Sequence, residues 1–524
     1  MKYYISRFWL ATSISFYLFI PYLSRYAHEF NRFVFHWTRT DLVSLMFCIV
    51  LIGMFFFLPF IILYVWGNKI TKKVFNILFF ATLGIALVAN VLQLLKSKMN
   101  ISFSSPWIHW IIWLYSGYFL WILLGIFLIY AIFKNTGKIK AICVALCFIA
   151  SPILPIFTLN ALRFTSITSN SGSLPAVLSE IRNYDEGDKR NVYIFIFDEW
   201  SYQRSFNNQK LITEFKNLKL FKESALVFHQ AFSPSPNTLT SMPAFLFQTN
   251  LEFIAKRGVM GFKSEGFHPI NQKENIFYHA RGLGFYTCII GSYTPYGDLL
   301  GESIDFSKSI SVAKRLGDSF LGVSKYHIIT TLLLLPEPFI PYERRLITDY
   351  FFNRFQINRI NATHELFKTI VKNQTSSTFG VFHYMIPHFP YIFNREGHKK
   401  LFHIYKLNSS NYYDNLAYLD RKIGEIISVF KKANKFENSL IIMTSDHSWR
   451  HDPNYDKDNS LLEKCHVPLF IKMPYQNFSI EINSKFTTSK LGTIINKYLD
   501  GEFDPAKTRS IFCDENLFIP PLPN

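Results

Sequence analysis

Cysteine is scarce in this chain, with 6 among 524 residues. Three of the six lie in apolar stretches near the amino terminus, so the remainder of the chain contains only Cys288, Cys465 and Cys513. Three thiols allow at most one internal disulfide, which excludes the disulfide-stapled scaffolds of small secreted proteins. The sequence also has no internal repeat and no sustained heptad pattern, which excludes a repeat protein and a coiled coil.

Acidic residues are nearly absent from the first third of the chain. Residues 1–163 contain 14 Lys and Arg but only 2 Asp and Glu, whereas the whole chain has 55 and 37. Most of the net charge of +18 is therefore confined to this part. Because the basic residues lie in short loops between apolar runs, they indicate membrane topology and argue against a nucleic-acid partner.

Long apolar runs are abundant in the same part, and the whole chain is 49% hydrophobic and 18% aromatic. Most of these runs are long enough for a helix to cross the ~30 Å hydrocarbon core of a membrane. No small-residue cleavage site follows the first run, so we expect it to be retained rather than removed as a signal peptide. Residues 1–163 are thus predicted to form a transmembrane region of five spans, at about 8–24, 42–66, 74–95, 108–133 and 141–161.

The distribution of lysine and arginine predicts the orientation of these spans. Basic residues are dense in Asn68–Lys73 and Lys134–Lys140 and more dispersed in Arg25–Asp41 and Lys96–Pro106. Cytoplasmic loops are enriched in Lys and Arg, which favours a cytoplasmic amino terminus. Five spans then place everything after residue 163 outside the cytoplasm.

Residues 164–190 are rich in Ser, Thr, Asn and Gly and are expected to be a linker. From residue 191 to residue 524, apolar strand-like runs alternate with helical ones, which predicts an α/β domain with a mostly parallel central sheet. The strands are expected at Val192–Phe197, Phe285–Ile290, Phe379–Met385, Leu440–Met443 and Pro468–Lys472, and the helices near Asn275–Arg281, Tyr413–Ala433 and Ser489–Leu499.

Polar residues follow the ends of these strands, where active sites of parallel sheets gather. The adjacent pair Asp446–His447 follows one strand and Asp198–Glu199 follows another. A Thr/Ser-rich turn is expected at Asn237–Ser241. Carboxylates combined with imidazoles favour zinc or manganese over calcium. Further candidates at strand ends are His388, Arg450, His451 and His466, with Lys472 as a possible charge partner, whereas His383 is expected to be a packed strand residue.

This order of residues resembles the sulfatase-like branch of the alkaline phosphatase superfamily, which includes sulfatases, lipoteichoic acid synthases and phosphoethanolamine transferases. The matching features are an acid after the first strand, a nucleophile some forty residues later, a His in a Pro-His-x-Pro turn (387–390), an Asp-His pair and a further His. The resemblance covers about residues 191–500, and the predicted membrane region resembles the anchors of the two transferase groups.

The resemblance implies the roles of the site residues. Asp198, Thr238, Asp446 and His447 would hold the metal, with Thr238 also as the nucleophile. Thr238 begins a Thr-x-x-Ser-x-Pro stretch similar to that of the transferases, and a threonine cannot become the formylglycine of the sulfatases. His388 is expected to take part in catalysis. Four further residues are expected to bind a second metal or the substrate: Glu199, Arg450, His451 and His466.

Three functions remain open at this point. The favoured hypothesis is a phosphotransferase that moves a phosphoethanolamine or phosphoglycerol group from a phospholipid to an envelope glycan or lipid through a phospho-threonine. The second is a hydrolase on the same scaffold, either a phosphodiesterase or a sulfuric ester hydrolase. The third is a non-catalytic envelope protein. Thr240 and Ser241 remain alternative nucleophiles.

Overall fold

The computed structural model describes residues 8–9, 11–13, 15–19, 39–75, 141, 145, 518, 521 and 190–501, the last with gaps at 213, 257–258, 293, 311–318, 335–345, 401–408 and 454–460. The chain divides into two compact units. The first comprises Met1–Thr168 and Ala313–Thr348, and the second comprises Ser169–Val312 and Asp349–Asn524. The segment Ala313–Thr348, which we expected within the catalytic domain, thus groups with the amino-terminal unit.

The described elements alternate between strands and helices from residue 191 onward, as the sequence predicts. In chain order they are α1 (Arg39–Trp66), β1 (Asn191–Phe197), α2 (Tyr202–Ser205), β2 (Phe206–Asn207), β3 (Lys210–Leu211), α3 (Lys216–Lys222), β4 (Leu226–Phe232), α4 (Thr238–Leu246), β5 (Glu252–Lys256), β6 (Val259–Lys263), β7 (Phe267–Pro269), α5 (Ile276–Gly282), β8 (Tyr286–Ser292), α6 (Tyr296–Leu300), β9 (Phe306–Ile310), α7 (Phe320–Leu334), α8 (Leu346–Asn373), β10 (Thr378–Tyr384), α9 (Ser409–Lys432), β11 (Ser439–Thr444), α10 (Leu461–Cys465), β12 (His466–Lys472), β13 (Ile480–Ile482), β14 (Phe486–Thr487) and α11 (Leu491–Leu499).

A nine-stranded sheet forms the centre of the second unit. Its strand order is β13-β4-β12-β11-β1-β10-β8-β9, and β14 pairs with β4. Every neighbouring pair is parallel except those that involve β12, which runs antiparallel to both β11 and β4. The prediction of a mostly parallel sheet is therefore confirmed. The residues of β1, β10 and β11 are all buried, because both faces of these central strands are covered.

Aromatic side chains fill the core on one face of this sheet. Phe195 of β1 lies 5.5 Å from Phe382 of β10, 5.2 Å from Phe367 of α8 and 5.9 Å from Phe430 of α9, measured between ring centroids. The last two contacts are edge-on, the arrangement that aromatic quadrupoles favour. The helices α8 and α9 are thereby fixed against the central strands, which positions the carboxyl ends of those strands rigidly.

Helix α9 also caps a neighbouring helix through a buried carboxylate. Asp420 Oδ1 accepts the backbone N–H of Leu218 at 2.8 Å, and Oδ2 accepts those of Lys216 and Asn217 at 3.1 Å. These are N–H groups of the first turn of α3, which have no partner within that helix. A negative charge at a helix amino terminus is also favourable for the helix dipole. The side chain of Asp420 is thus both buried and fully hydrogen-bonded.

In the first unit, helix α1 contains one segment that is long and apolar enough to cross a membrane, at Val43–Leu63, with a mean hydropathy of 2.9. Among the described residues no other helix meets this criterion. It coincides with the second predicted span, 42–66. Residues 8–9, 11–13 and 15–19 of the first predicted span are helical. The other three predicted spans lie almost wholly outside the described residues, so the five-span arrangement remains a prediction.

Helix α7 belongs to the same unit and packs against the first half of α1. Ser44 Oγ and Ser324 Oγ are 2.8 Å apart, Cys48 Sγ donates to the Ser324 carbonyl at 3.4 Å, and His327 Nε2 lies 3.1 Å from the Asp41 carbonyl. All these side chains are buried. Other faces of α1 present large apolar side chains that are more than a third exposed, among them Val43, Val50, Leu51, Met54, Phe55, Leu58, Ile62 and Trp66.

Candidate active site

Three adjacent parallel strands bring the predicted metal ligands to one edge of the sheet. In the register of the sheet, Ile196 of β1 lies beside both His383 of β10 and Thr444 of β11. Asp198 directly follows β1, and Asp446 comes two residues after β11. Because the three strands run in the same direction, their carboxyl ends place Asp198, His383 and Asp446 together.

The nucleophile predicted from the sequence, Thr238, joins this group from the start of helix α4. Asn237 caps that helix, and its side chain accepts the backbone N–H of Thr240 at 3.0 Å. The predicted turn at Asn237–Ser241 is therefore the first turn of a nine-residue helix. The Thr238 hydroxyl donates to Asp446 Oδ2 at 2.6 Å, and the residue as a whole is 5% exposed. A position at the helix amino terminus favours negative charge on this oxygen.

The orientation of His447 is set by its second ring nitrogen. Nδ1 donates to the Ser448 carbonyl at 2.8 Å, so Nε2 carries a lone pair in the neutral ring. That nitrogen is 3.2 Å from Thr238 Oγ1 and 3.5 Å from both Asp198 Oδ1 and Asp446 Oδ2. A lone pair directed at two carboxylates is unfavourable unless a cation lies between them. This is the tautomer and the surroundings of a metal-ligating histidine.

The distances between these atoms suit a divalent cation. Zinc binds nitrogen and oxygen ligands at about 2.0–2.2 Å, so ligand atoms of a tetrahedral site are about 3.4 Å apart. The separations of His447 Nε2 from Thr238, Asp198 and Asp446 are 3.2–3.5 Å. His383 also belongs to the group, because ligand atoms of Asp198, His383 and Asp446 all lie within 4.8 Å of one another.

Buried atoms without a hydrogen-bond partner support the same conclusion. Among the described residues, neither carboxylate oxygen of Asp198 nor Nε2 of His383 has such a partner, although both side chains are fully buried. An unpaired buried carboxylate is strongly unfavourable unless it is neutralised or coordinates a metal. The residues present therefore fit a divalent metal, which would be held by Asp198, Thr238, Asp446 and His447, with His383 adjacent.

The pKa values of the two aspartates move in opposite directions. Burial, together with the charges of Asp446 and Glu199, raises the pKa of Asp198 well above its usual range. Burial also acts to raise the pKa of Asp446, but the nearby His447 and His383 and the hydroxyl of Thr238 outweigh it and lower that pKa. In the metal-free protein Asp198 therefore binds a proton more readily than Asp446 does.

Glu199, Arg450 and His388 form a second, connected group beside this cluster. Arg450 Nε donates to Glu199 Oε1 at 2.6 Å, and Arg450 Nη2 lies 2.6 Å from His388 Nε2. Burial opposes the charge of Glu199, yet His388 and Arg450 hold its pKa at about 2. Burial lowers the pKa of His388 to about 4 despite the attraction of Glu199. At neutral pH the group is thus an ion pair with a neutral histidine.

The backbone at Glu199 is in the left-handed region, with φ of 66°. A glutamate adopts this conformation only when its surroundings hold it there. Its carbonyl accepts the hydroxyl of Tyr412 at 2.6 Å, and its amide donates to Asp446 Oδ1 at 3.3 Å. The strained residue therefore links the metal cluster to the arginine group.

Of the two remaining predicted histidines, His451 lies beside the Glu199–Arg450 group and His466 lies on β12. His451 is exposed and contacts the Phe389 ring edge-on, with 6.1 Å between ring centroids. His466, the first residue of β12, lies near the correct edge of the sheet, but its Nε2 is hydrogen-bonded to the His229 carbonyl at 2.9 Å, and it stacks on Tyr202 with 4.1 Å between centroids. The structure therefore gives His466 a packing contact with Tyr202 and a hydrogen bond to the backbone of β4.

Lys472, which the sequence offered only as a possible charge partner, lies too far from this site to balance the charge of a substrate. Its register partner is Ile441, and its Nζ donates to the Glu437 carbonyl, which precedes β11. At about 3.3 Å per residue, the five residues from Ile441 to Asp446 separate it from the site by about 16 Å. The reason is that β12 runs antiparallel, so its last residue lies at the opposite edge of the sheet.

His383 lies closer to the metal cluster than its place in an apolar strand predicts. We expected a packed strand residue, and its side chain is indeed fully buried in β10. However, its Nε2 is 3.9 Å from Asp446 Oδ2, while its Nδ1 lies 3.0 Å from the Tyr296 hydroxyl. The signal that could have identified it is its place as the penultimate residue of an apolar strand beside β1, which Asp198 directly follows.

The chain belongs to the sulfatase family, because residues 190–491 match the model of that family. This confirms the resemblance drawn from the order of the site residues. Enzymes of this family depend on a metal, in agreement with the cluster at Asp198, His383 and Asp446. A comparison with curated protein sequences gave no match.

The chain is also similar to several solved structures, with low identity. Ps i-CgsB, solved with k-i-k-neocarrahexaose, is 15% identical over 63% of this chain and 75% of its own, with a TM-score of 0.42. An alkaline phosphatase superfamily protein from Vibrio parahaemolyticus is 14% identical over 62% and 72%, with a TM-score of 0.40. The lipoteichoic acid synthase LtaP from Listeria monocytogenes is 13% identical over 59% and 72%, with a TM-score of 0.37.

Proposed function

We propose that this protein is a membrane-anchored, metal-dependent phosphotransferase. It would move a phospho-head group, of the phosphoethanolamine or phosphoglycerol type, from a lipid to a cell-envelope glycan or lipid. The observation that supports this best is the Thr238 hydroxyl, which lies at the metal cluster and donates to Asp446 at 2.6 Å. A threonine hydroxyl near a metal can act as a nucleophile toward phosphorus. It cannot become the formylglycine that the sulfate-cleaving route requires.

The reaction has two balanced steps. First, Thr238 Oγ1 attacks phosphorus as its proton passes to Asp446 Oδ2, the bond from phosphorus to the lipid oxygen breaks, and that oxygen takes up a proton. Then a hydroxyl of the acceptor attacks the phospho-threonine and passes its proton to the group that protonated the lipid oxygen, the bond from phosphorus to Thr238 breaks, and Thr238 Oγ1 takes back the proton from Asp446 Oδ2. A bound zinc or manganese ion would supply a Lewis acid that favours the threonine alkoxide.

His388 is the proton donor that we propose for the leaving oxygen. In the structure its Nδ1 is hydrogen-bonded to the Phe389 carbonyl and its Nε2 is 2.6 Å from the Arg450 guanidinium. Burial keeps the ring neutral at pH 7. To donate from Nε2, His388 must first lose its contact with the Arg450 guanidinium and take up a proton from solvent when the substrate binds.

The membrane location is the second part of the proposal. The exposed apolar face of α1, with Leu51, Phe55 and Leu58, suits contact with lipid tails. Anchoring would let the site reach a lipid donor by lateral diffusion. We propose several spans in a bacterial inner membrane, with the sulfatase-like domain on the periplasmic or extracellular side.

The test is to trap the phosphorylated enzyme. Purified full-length protein is incubated with zinc or manganese and with phospholipid labelled in the head group, and labelled peptides are identified by mass spectrometry. We expect label on Thr238 in the wild type and none in Thr238→Ala, with activity reduced at least about 10³-fold. Thr240→Ala, two residues away, is the matched control and should be labelled normally. Label on Thr240 or Ser241, or no label on metal-loaded wild type, would contradict the proposal.

A hydrolase on the same scaffold is the second candidate, and membership of the sulfatase family supports it equally. In this case water replaces the acceptor in the second step, and the Thr238 site is unchanged. Steady turnover of a soluble chromogenic phosphodiester without any added acceptor would favour hydrolysis. Turnover that needs an added glycan or glycolipid acceptor would favour transfer.

A further inference from the structure

We propose that helix α7 (Phe320–Leu334) is embedded in the membrane beside α1 and contacts lipid acyl chains through Phe320 and Leu321. This helix is an insertion between β9 and β10, so a part of the sulfatase-like region returns to the bilayer in which α1 is anchored. The inference rests on the membrane location proposed above and does not depend on the phosphotransferase chemistry.

The first argument is that polar side chains are concentrated where α7 and α1 meet. The buried residues of α7 include Ser324, His327 and Thr331. Ser324 Oγ lies 2.8 Å from Ser44 Oγ, and His327 Nε2 lies 3.1 Å from the Asp41 carbonyl. Polar side chains in lipid have no water to bind, so they form hydrogen bonds across the interfaces between helices. The interface between α7 and α1 has this polarity.

The second argument is that the exposed side of the same helix pair is apolar. Leu321 is 64% exposed and Phe320 is 42% exposed. The Phe320 ring contacts the ring of Phe47 in α1 edge-on, with 5.3 Å between ring centroids, and Phe47 is itself exposed. The apolar surface therefore continues from α7 onto the exposed face of α1, which includes Leu51 and Phe55. A helix pair in water has the opposite arrangement, with its polar residues on the outside.

The third argument is the depth at which the two helices meet. Three pairs of residues show that α7 runs antiparallel to the first part of α1: Phe320 with Phe47, Ser324 with Ser44, and His327 with Asp41. The apolar segment of α1 begins at Val43, and at 1.5 Å per residue Phe47 lies about 6 Å inside it. Phe320 therefore reaches the acyl chains nearest the head groups, whereas His327 stays near the surface. The insertion of α7 is thus shallow.

Charged residues agree with this depth and with the side of the membrane. Lys325 is the only Lys, Arg, Asp or Glu in the sequence of α7, and it directly follows Ser324, from where its long side chain can reach the head groups. Lys69, Lys72 and Lys73 follow the other end of α1, which the proposed topology places in the cytoplasm. The start of α1, where α7 packs, then lies on the outer side, where the proposal puts the sulfatase-like region.

The experiment is photocrosslinking of the full-length protein in phospholipid nanodiscs. A benzophenone amino acid replaces Leu321 in one variant and Phe320 in a second, and adducts are identified by mass spectrometry of the peptides. Leu220 of α3 is the matched control, because it is also 64% exposed but belongs to the sulfatase-like unit. Phe55 of α1, which is 70% exposed, is the reference for a lipid-facing position. Circular dichroism confirms that each variant is folded.

We expect lipid adducts at Leu321, at Phe320 and at Phe55, and at Leu220 no more than in a sample kept in the dark. A cross-link from Leu321 to residues 74–161 or to a second copy of the chain would overturn the inference, because protein rather than lipid would then cover α7. Lipid adducts at Leu220 as abundant as those at Leu321 would also overturn it.

The same measurement separates this inference from the proposed function. Lipid adducts at Phe55 without any at Leu321 and Phe320 would refute the embedding of α7 and leave the membrane span of α1 intact. No lipid adduct at any of these positions would refute the proposed membrane location as well. Absence of phospho-Thr238 would refute the transferase and leave the lipid adducts unchanged.

Discussion

Replacing Asp198 by asparagine should stabilise the metal-free protein, although it removes a residue of the active site. Ligand atoms of Asp198 and Asp446 lie within 4.8 Å of each other. At an effective dielectric constant of about 20, two unit charges at that distance repel by about 3.5 kcal/mol. The protein can avoid this by protonating Asp198, which at pH 7 costs about 4 kcal/mol relative to its ordinary pKa of about 3.9. The repulsion between two charged aspartates and the cost of protonating Asp198 both indicate that Asp198 destabilises the metal-free state by about 3–4 kcal/mol.

Asp420→Asn is the matched control, because Asp420 is also buried but accepts four N–H donors. We expect Asp198→Asn to raise the metal-free melting temperature of the sulfatase-like domain by about 5–10 °C and to abolish the further rise on adding zinc. Asp420→Asn should lower the melting temperature and leave the zinc response intact. The assay is scanning calorimetry with a chelator and with zinc. A lower metal-free melting temperature for Asp198→Asn, or an undiminished zinc response, would refute the reasoning.

Three further outcomes follow from individual contacts. His383→Gln should weaken zinc binding by about 10–100-fold, measured by competition with a chromogenic chelator; unchanged affinity would show that His383 lies outside the metal's reach. Ser445→Ala should lower the free energy of unfolding by about 1–3 kcal/mol in urea titrations, because the Ser445 hydroxyl accepts the Trp200 amide at 2.9 Å and lies 2.5 Å from the Phe197 carbonyl. An unchanged free energy of unfolding would show that these two contacts do not stabilise the fold. Burial lowers the pKa of Lys472 from 10.5 to about 8. Between pH 8 and pH 10.5 the unfolded chain therefore binds more protons than the folded protein, so the wild type gains stability as the pH rises through this range. Lys472→Met should therefore stabilise the folded protein at pH 7 by up to about 3 kcal/mol, reduced by the loss of the two hydrogen bonds that Lys472 donates to carbonyls. This gain should shrink toward pH 10.5, and a gain that does not depend on pH would contradict the argument.

The central strands and the metal cluster could be predicted because their signals are local. Runs such as Val192–Phe197 and Leu440–Met443 are apolar and are followed within three residues by an acid, which is typical of buried parallel strands beside an active site. Parallel direction then brings Asp198 and Asp446 together without further information. Thr238 followed from its resemblance to a family motif, and the structure shows the physical reason in the helix that it begins.

The direction of a strand is not a local signal, and this explains the failure at Lys472. The run His466–Lys472 is as apolar as its neighbours, yet it pairs antiparallel with β11. Reversal exchanges the two ends, so His466 lies near the edge of the active site and Lys472 lies far from it. The partners of Arg450 were also hidden, because Glu199 and His388 are far from it in sequence and meet it only in the folded chain.

The packing of α7 on α1 determines which fragments of this protein keep their contacts. Helix α7 lies between β9 and β10 in the sequence, but the surface that it covers belongs to a helix that precedes the sulfatase-like region by more than a hundred residues. A fragment that begins at residue 190 would keep α7 and lose its partner, leaving Ser324 and His327 without the contacts to Ser44 and Asp41. A soluble fragment should therefore also omit residues 313–348, because the amino-terminal helix and this insertion form one folded piece.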